Sequence, residues 1–193
     1  MSGLRVSWPR LAARLDALAE VGSTGDGGCA RLALTDADRD GRDLVVSWMG
    51  ELGLRVDVDG IGNVVGTWPP DATEPPVMTG SHIDTVRTGG RFDGNLGVLA
   101  GLEAIETVIT GGVELDRPLA VAFFTNEEGS RFAPDMFGSL VYVGGLPLEV
   151  ALDTVGVDGA VAGEELERIG YVGPMPCPAR SPHAFVELHI EQG

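Results

Sequence analysis

The chain contains no lysine: all 13 of its basic residues are arginine, set against 29 acidic ones for a formal charge of −16. Without a lysine amine, Schiff-base catalysis and the phosphate-cradling lysine of a P-loop are excluded. So little positive charge also argues against nucleic acid and anionic membrane surfaces, which concentrated basic side chains hold, and leaves small molecules and metal cations as the expected partners. Cysteine is scarce as well. Cys29 and Cys177 stand far apart with no second thiol at ligand spacing, so neither a thiolate zinc site nor a disulfide framework is expected, and a reducing cytoplasm fits. Long apolar runs are missing too. Residues 119–124 are strand-sized and residues 1–10 hold no uninterrupted apolar segment, which predicts a soluble, unexported, cytoplasmic protein.

What remains is a chain of 193 residues, 44% hydrophobic, long enough for one domain, or part of a larger one, with a substantial core. Ser7 and Pro9 open a helix whose apolar face is Leu11, Leu15, Leu18 and Val21. A glycine-rich loop at 22–28 separates it from a second, begun by Thr35 with Asp38 three residues on and striped by Leu44, Val45, Trp48, Met49 and Leu52. Residues 54–59 and 61–67 read as a hairpin, 76–81 as a strand, and 94–110 as a helix burying Leu96, Leu99, Ala100 and Ile105. Residues 119–125 read as an apolar buried strand, so strand, helix and strand imply a parallel pair. Two weaker helices at 148–152 and 163–169 precede a last strand at 184–190. The fold class expected is α/β, a mixed, largely parallel sheet flanked by helices, without internal repeats.

Polar residues collect where two of these strands end. His82 and Asp84 follow one, Glu127 and Glu128 another, and the carboxyl edge of a parallel sheet is where ligand sites are built. The His-x-Asp spacing lets the carboxylate hold the ring nitrogen that a metal does not use; alone, it also fits a polar turn. Asp93 before Gly94 reads either as a helix cap or as a carboxylate bridging two cations. In Glu127-Glu128, one carboxylate can bind metal while its neighbour handles protons; the bland alternative is a solvated acidic loop. His189 lies in an apolar/polar alternation that also suits plain strand packing, and His183 in its Ser-Pro-His turn has no assigned role. Arg91 and Arg131 are expected to pair with the acids of this edge.

The ordered strings GSHIDTV, GGRFDGNLGVLAGLE, FFTNEEGSRF and VELHIEQG resemble the zinc-dependent amidohydrolases that include N-carbamoyl-L-amino-acid hydrolase, allantoate amidohydrolase and β-ureidopropionase, within the wider M20 aminoacylase/carboxypeptidase group. The resemblance implies a dimetal α/β catalytic domain that cleaves linear amide or ureido C–N bonds. It implies that His82 and His189 bind one metal, Asp93 bridges both and Glu128 binds the second. Glu127 is then the general base, Asp84 orients His82 and Gln192 lies near the substrate. It also implies two divalent ions, zinc first with manganese, cobalt or nickel as alternatives, a small N-carbamoyl or ureido substrate, and a homodimer for the complete protein. On this reading residues 1–193 are the N-terminal portion of the catalytic domain, without the lid and dimerisation domain. The rivals are an aminoacylase or peptidase of the wider group, and a truncated chain with no catalysis of its own.

Overall fold

The computed structural model describes residues 3–190. Helix α1 (Trp8–Glu20) starts where Ser7 lies in extended backbone and its hydroxyl oxygen accepts from the Arg10 amide, with proline in the first turn. Helix α2 (Asp36–Glu51) starts the same way: Thr35 Oγ1 accepts from the Asp38 amide, and Asp36 and Asp38 place negative charge at the positive end of the helix. Leu15 and Leu18 of α1 and Val45 and Met49 of α2 fall at helical spacing and are buried.

Strands β1 (Arg55–Val58) and β2 (Val64–Trp68) form the expected antiparallel hairpin. Strand β3 (Val77–His82), helix α3 (Asn95–Thr110) and strand β4 (Leu119–Phe124) follow, and β3 lies parallel to β4 with His82 opposite Phe124. Helices α4 (Phe137–Val143), α5 (Leu148–Leu152) and α6 (Ala162–Ile169) precede β5 (Ala184–Val186), which adds parallel to β3. The sheet runs β1-β2-β4-β3-β5, antiparallel across β1, β2 and β4 and parallel from β4 outward.

The apolar run of β4 follows from burial on both faces. Val121 and Phe123 enter the main core with Leu15, Leu18, Val45, Met49, Leu99, Leu102 and Ile105. Ala120, Ala122 and Phe124 enter a smaller cluster with Val65, Met78 and Tyr142. Alternate residues of a strand face opposite ways, so neither face leaves room for a polar side chain. Fully burying a side chain such as Phe123 contributes about 1.5–3 kcal/mol.

Three details differ from the sequence reading. In α3 the buried apolar residues are Val98, Leu99, Leu102 and Ile105, while Leu96 and Ala100 are half-buried. Helix α4 was not anticipated. β5 spans three residues rather than the seven of 184–190: its pairing with β3 ends at Val186 opposite Thr79, and Phe185 and Val186 are exposed. Among the described residues, no helix is long and apolar enough to cross a membrane.

Candidate metal centre

The parallel pairing of β3 with β4 brings the loops that follow them to one edge of the sheet. His82 is the last residue of β3 and fully buried; its Nδ1 lies 2.9 Å from the backbone carbonyl of Asp84. That carbonyl accepts from the ring and leaves Nε2 facing the opposite way. Nε2 makes no hydrogen bond; its polar neighbours are Asp93 Oδ1 at 3.5 Å and Glu127 Oε2 at 3.3 Å. The ring fits against Gly94, whose φ of +64° suits glycine: a Cβ there would stand 2.5 Å from His82 Nδ1 and Cε1.

Asp84 does not work through its side chain as the sequence suggested. Its carboxylate lies 3.9 Å from His82 Nδ1, beyond hydrogen-bonding distance, and instead accepts from the backbone amides of Glu127 at 3.2 Å and Glu128 at 3.4 Å. The short two-residue step turns the Asp84 carbonyl, not its carboxylate, toward the ring. The side chain thereby ties the loop after β3 to the loop after β4.

Asp93 is buried and gives α3 no cap; Gly94 is the N-cap residue and offers no side-chain acceptor. The choice between cap and ligand that the sequence left open thus loses its capping side. One donor atom each from His82, Asp93 and His189 lies within 4.8 Å of the other two. His189 reaches this cluster from the segment beyond β5, with its ring centroid 5.7 Å from that of His82. Its Nδ1 lies 3.2 Å from Glu187 Oε1 and 3.4 Å from Ser81 Oγ. Glu128 is not part of this mutually close triad, although its buried Oε1 also lacks a hydrogen bond. Gln192 lies outside the described residues.

The electrostatics are those of crowded acids around one imidazole. Burial pushes the Asp84 and Glu127 carboxyls up, and burial followed by the charge of Asp93 pushes Glu128 up to about 7. Burial opposes charge on His82, yet Asp84 and Glu127 outweigh it and hold the ring above the usual histidine value. Arg42 pulls the Asp84 carboxyl part of the way back down. Arg91 pairs with Asp16, and Arg131 with Asp158 and Glu165, rather than with these acids as expected. A cation at the His82, Asp93 and His189 cluster would satisfy the buried His82 Nε2, and a second one on Glu128 would satisfy its Oε1; imidazole with carboxylate suits zinc and its neighbours.

Sequence reasoning missed the support of this edge. Arg31 is fully buried and donates from Nε to the Ile83 carbonyl at 2.7 Å, from Nη1 to those of Leu18 and Val21, and from Nη2 to Asn95 Oδ1 at 2.7 Å. It therefore joins α1, the loop holding Asp84 and the first turn of α3. A lone arginine before an apolar stretch carries no such signal in the sequence.

The family whose model matches this chain is Peptidase family M28, over residues 63–159. An N-carbamoyl-L-amino-acid amidohydrolase of Rhizobium meliloti is 47% identical over 98% of this chain and 46% of its own length. One from Geobacillus stearothermophilus is 45% identical, over 95% of this chain and 46% of its own. The crystal structure of an amidase of the hydantoinase/carbamoylase family from Burkholderia vietnamiensis superposes with a TM-score of 0.94 at 49% identity, covering 100% of this chain and 47% of that one. The chain thus spans about half the length of the relatives it matches.

Proposed function

Because the chain belongs to Peptidase family M28 and is similar to amidohydrolases of the hydantoinase/carbamoylase kind, we propose that its acidic edge is the metal centre of a hydrolase for linear ureido C–N bonds. The substrate class is an N-carbamoyl amino acid or a related ureido acid. The observation that carries this reading is the convergence of donor atoms of His82, Asp93 and His189 within 4.8 Å around a buried, unbonded His82 Nε2.

In this reading His82 and His189 would hold one divalent cation, Glu128 would hold a second, and Asp93 would be shared by both. Zinc fits the donor set best, with manganese, cobalt and nickel as alternatives. Two such ions, when bound, polarise the scissile carbonyl and lower the pKa of water. Glu127 is the general base. Its Oε2 stands 3.3 Å from His82 Nε2, beside the proposed metal position, where a carboxylate can take the proton of an attacking water and return it to the leaving nitrogen. Burial already raises its affinity for that proton. Asp84 fixes the geometry, its carbonyl on the ring of His82 and its carboxylate on the amides of Glu127 and Glu128.

The test is zinc stoichiometry and turnover on the purified chain, with N-carbamoyl and N-acyl amino acids offered in parallel. Among the described residues the first cation has three protein ligands and the second two, whereas a catalytic zinc has three. One firmly held ion, a weakly held second and slow hydrolysis confined to carbamoyl compounds are expected. No zinc retention, or faster cleavage of N-acyl compounds, overturns the assignment.

A further inference from the structure

His189 poses a mechanical problem. It lies beyond a three-residue strand that pairs with β3, in residues 187–190 that belong to no helix or strand, and its side chain is 30% exposed. A ligand on so lightly held a segment needs something to fix its ring.

Two neighbours do so. Glu187 Oε1 accepts from Ser81 Oγ at 2.7 Å and lies 3.2 Å from His189 Nδ1. Ser81 precedes His82 in β3 and is 2% exposed, so the serine end of this bridge is anchored in the sheet. In an extended segment residues two apart share a side, which places Glu187 and His189 together. The segment is also seated against α3: a Cβ at Gly97 would stand 2.8 Å from Ser81 Cβ and would collide with the Leu188 carbonyl oxygen.

We propose that Glu187 is a positioning residue of the metal centre, holding the His189 ring through Nδ1 so that it ligates through Nε2, with Ser81 as its anchor. An Nδ1–H donated to a carboxylate fixes the tautomer, the rotation of the ring and its basicity together. The two histidines then follow one rule with different acceptors. His82 gives Nδ1–H to a carbonyl, that of Asp84, and His189 gives it to a carboxylate. The inference rests on the ligand role given to His189 above.

The experiment is a competition titration of zinc, and separately of cobalt with its visible spectrum, on the full chain and on E187A, E187Q, S81A, H189A and the double variant E187A/H189A. Loss of such an outer partner costs about 10–100-fold in metal affinity, so E187A should weaken binding by that factor and alter the cobalt spectrum. E187Q, whose amide oxygen still accepts from Nδ1, should recover most of the loss, and S81A should fall between. In the H189A background, E187A should change nothing further. Equal losses from E187A in both backgrounds mean that Glu187 touches the cation or acts on the fold, and overturn the proposal. A loss in H189A with none in E187A overturns it alone. Wild-type affinity in H189A overturns the ligand reading and this one with it.

Discussion

Gly94 and the His82 ring approach so closely that the hydrogen on the Gly94 Cα is the largest substituent the packing admits; a Cβ would lie 2.5 Å from Nδ1 and from Cε1. The glycine that lets α3 begin is also the wall of the imidazole pocket.

Gly94→Ala should therefore destabilise the chain and displace the ring together. A side chain at φ +64° carries a strain of about 1–3 kcal/mol, to which the contact with His82 adds. Urea denaturation and a zinc titration read the two effects. Unchanged stability with unchanged affinity would mean that the ring has room to spare.

Glu127 and Glu128 should separate on mutation. If the chain turns over N-carbamoyl amino acids as proposed, Glu127→Gln is expected to retain metal and lose roughly 10²–10⁴-fold in rate, the usual contribution of a general base. Glu128→Gln is expected to lose metal first. Near-normal turnover in the Glu127 variant would falsify the base assignment.

Arg31→Met should cost about 2–6 kcal/mol, since it leaves the Ile83 carbonyl and Asn95 Oδ1 without their donor and each buried group left unsatisfied costs about 1–3 kcal/mol. The loss should extend to metal affinity, because Asn95 and Ile83 flank the loop that carries Asp84 and Asp93. A variant as stable as the parent in denaturant shows that the apolar packing of α1 suffices without the guanidinium.

Acid stability should depend on Glu103. Its side chain is 1% exposed and bonded by the Ser7 amide, Arg10 and Thr107. Burial alone would raise its pKa, but these bonds, Arg10 first, hold the carboxyl below the usual glutamate value. A depressed folded pKa gives stability that is complete above the unfolded value, about 4.3, and is lost as pH falls through the lower folded one. Glu103→Gln should thus be less stable near neutrality and lose less between neutrality and acid. Parallel pH profiles for the two proteins would remove Glu103 from the acid transition.

The elements that the sequence announces are those whose signal is local. Ser7 and Thr35 cap helices because an acceptor oxygen sits where an orphan amide needs one, and residues 119–124 form a strand because nothing polar interrupts them. Helix α4 gave no such notice: its N-cap residue is Met136, in left-handed conformation and without a capping side chain, and it runs for seven residues. For the site, residue types and strand ends placed His82, Asp84, Glu127 and Glu128 at one edge, whereas Asp93 stayed open between cap and bridge and His189 entered as a ligand only through the family resemblance. The atom by which each residue acts was not legible. That Asp84 meets the ring through its carbonyl, and that Glu187 meets Ser81, depends on the course of the backbone after β3 and on the packing of β5 beside it.

The short, one-sided pairing of β5 has a thermodynamic counterpart. Edge strands of this kind open locally at a small fraction of the global unfolding free energy, and here the opening segment carries His189. A cation bound to His82, Asp93 and His189 would span the break, acting as a rivet between the sheet interior and its margin. Fraying and release of the ion are then one equilibrium seen from two sides: whatever braces the margin tightens the ion, and the ion slows hydrogen exchange along residues 184–190 by the same free energy.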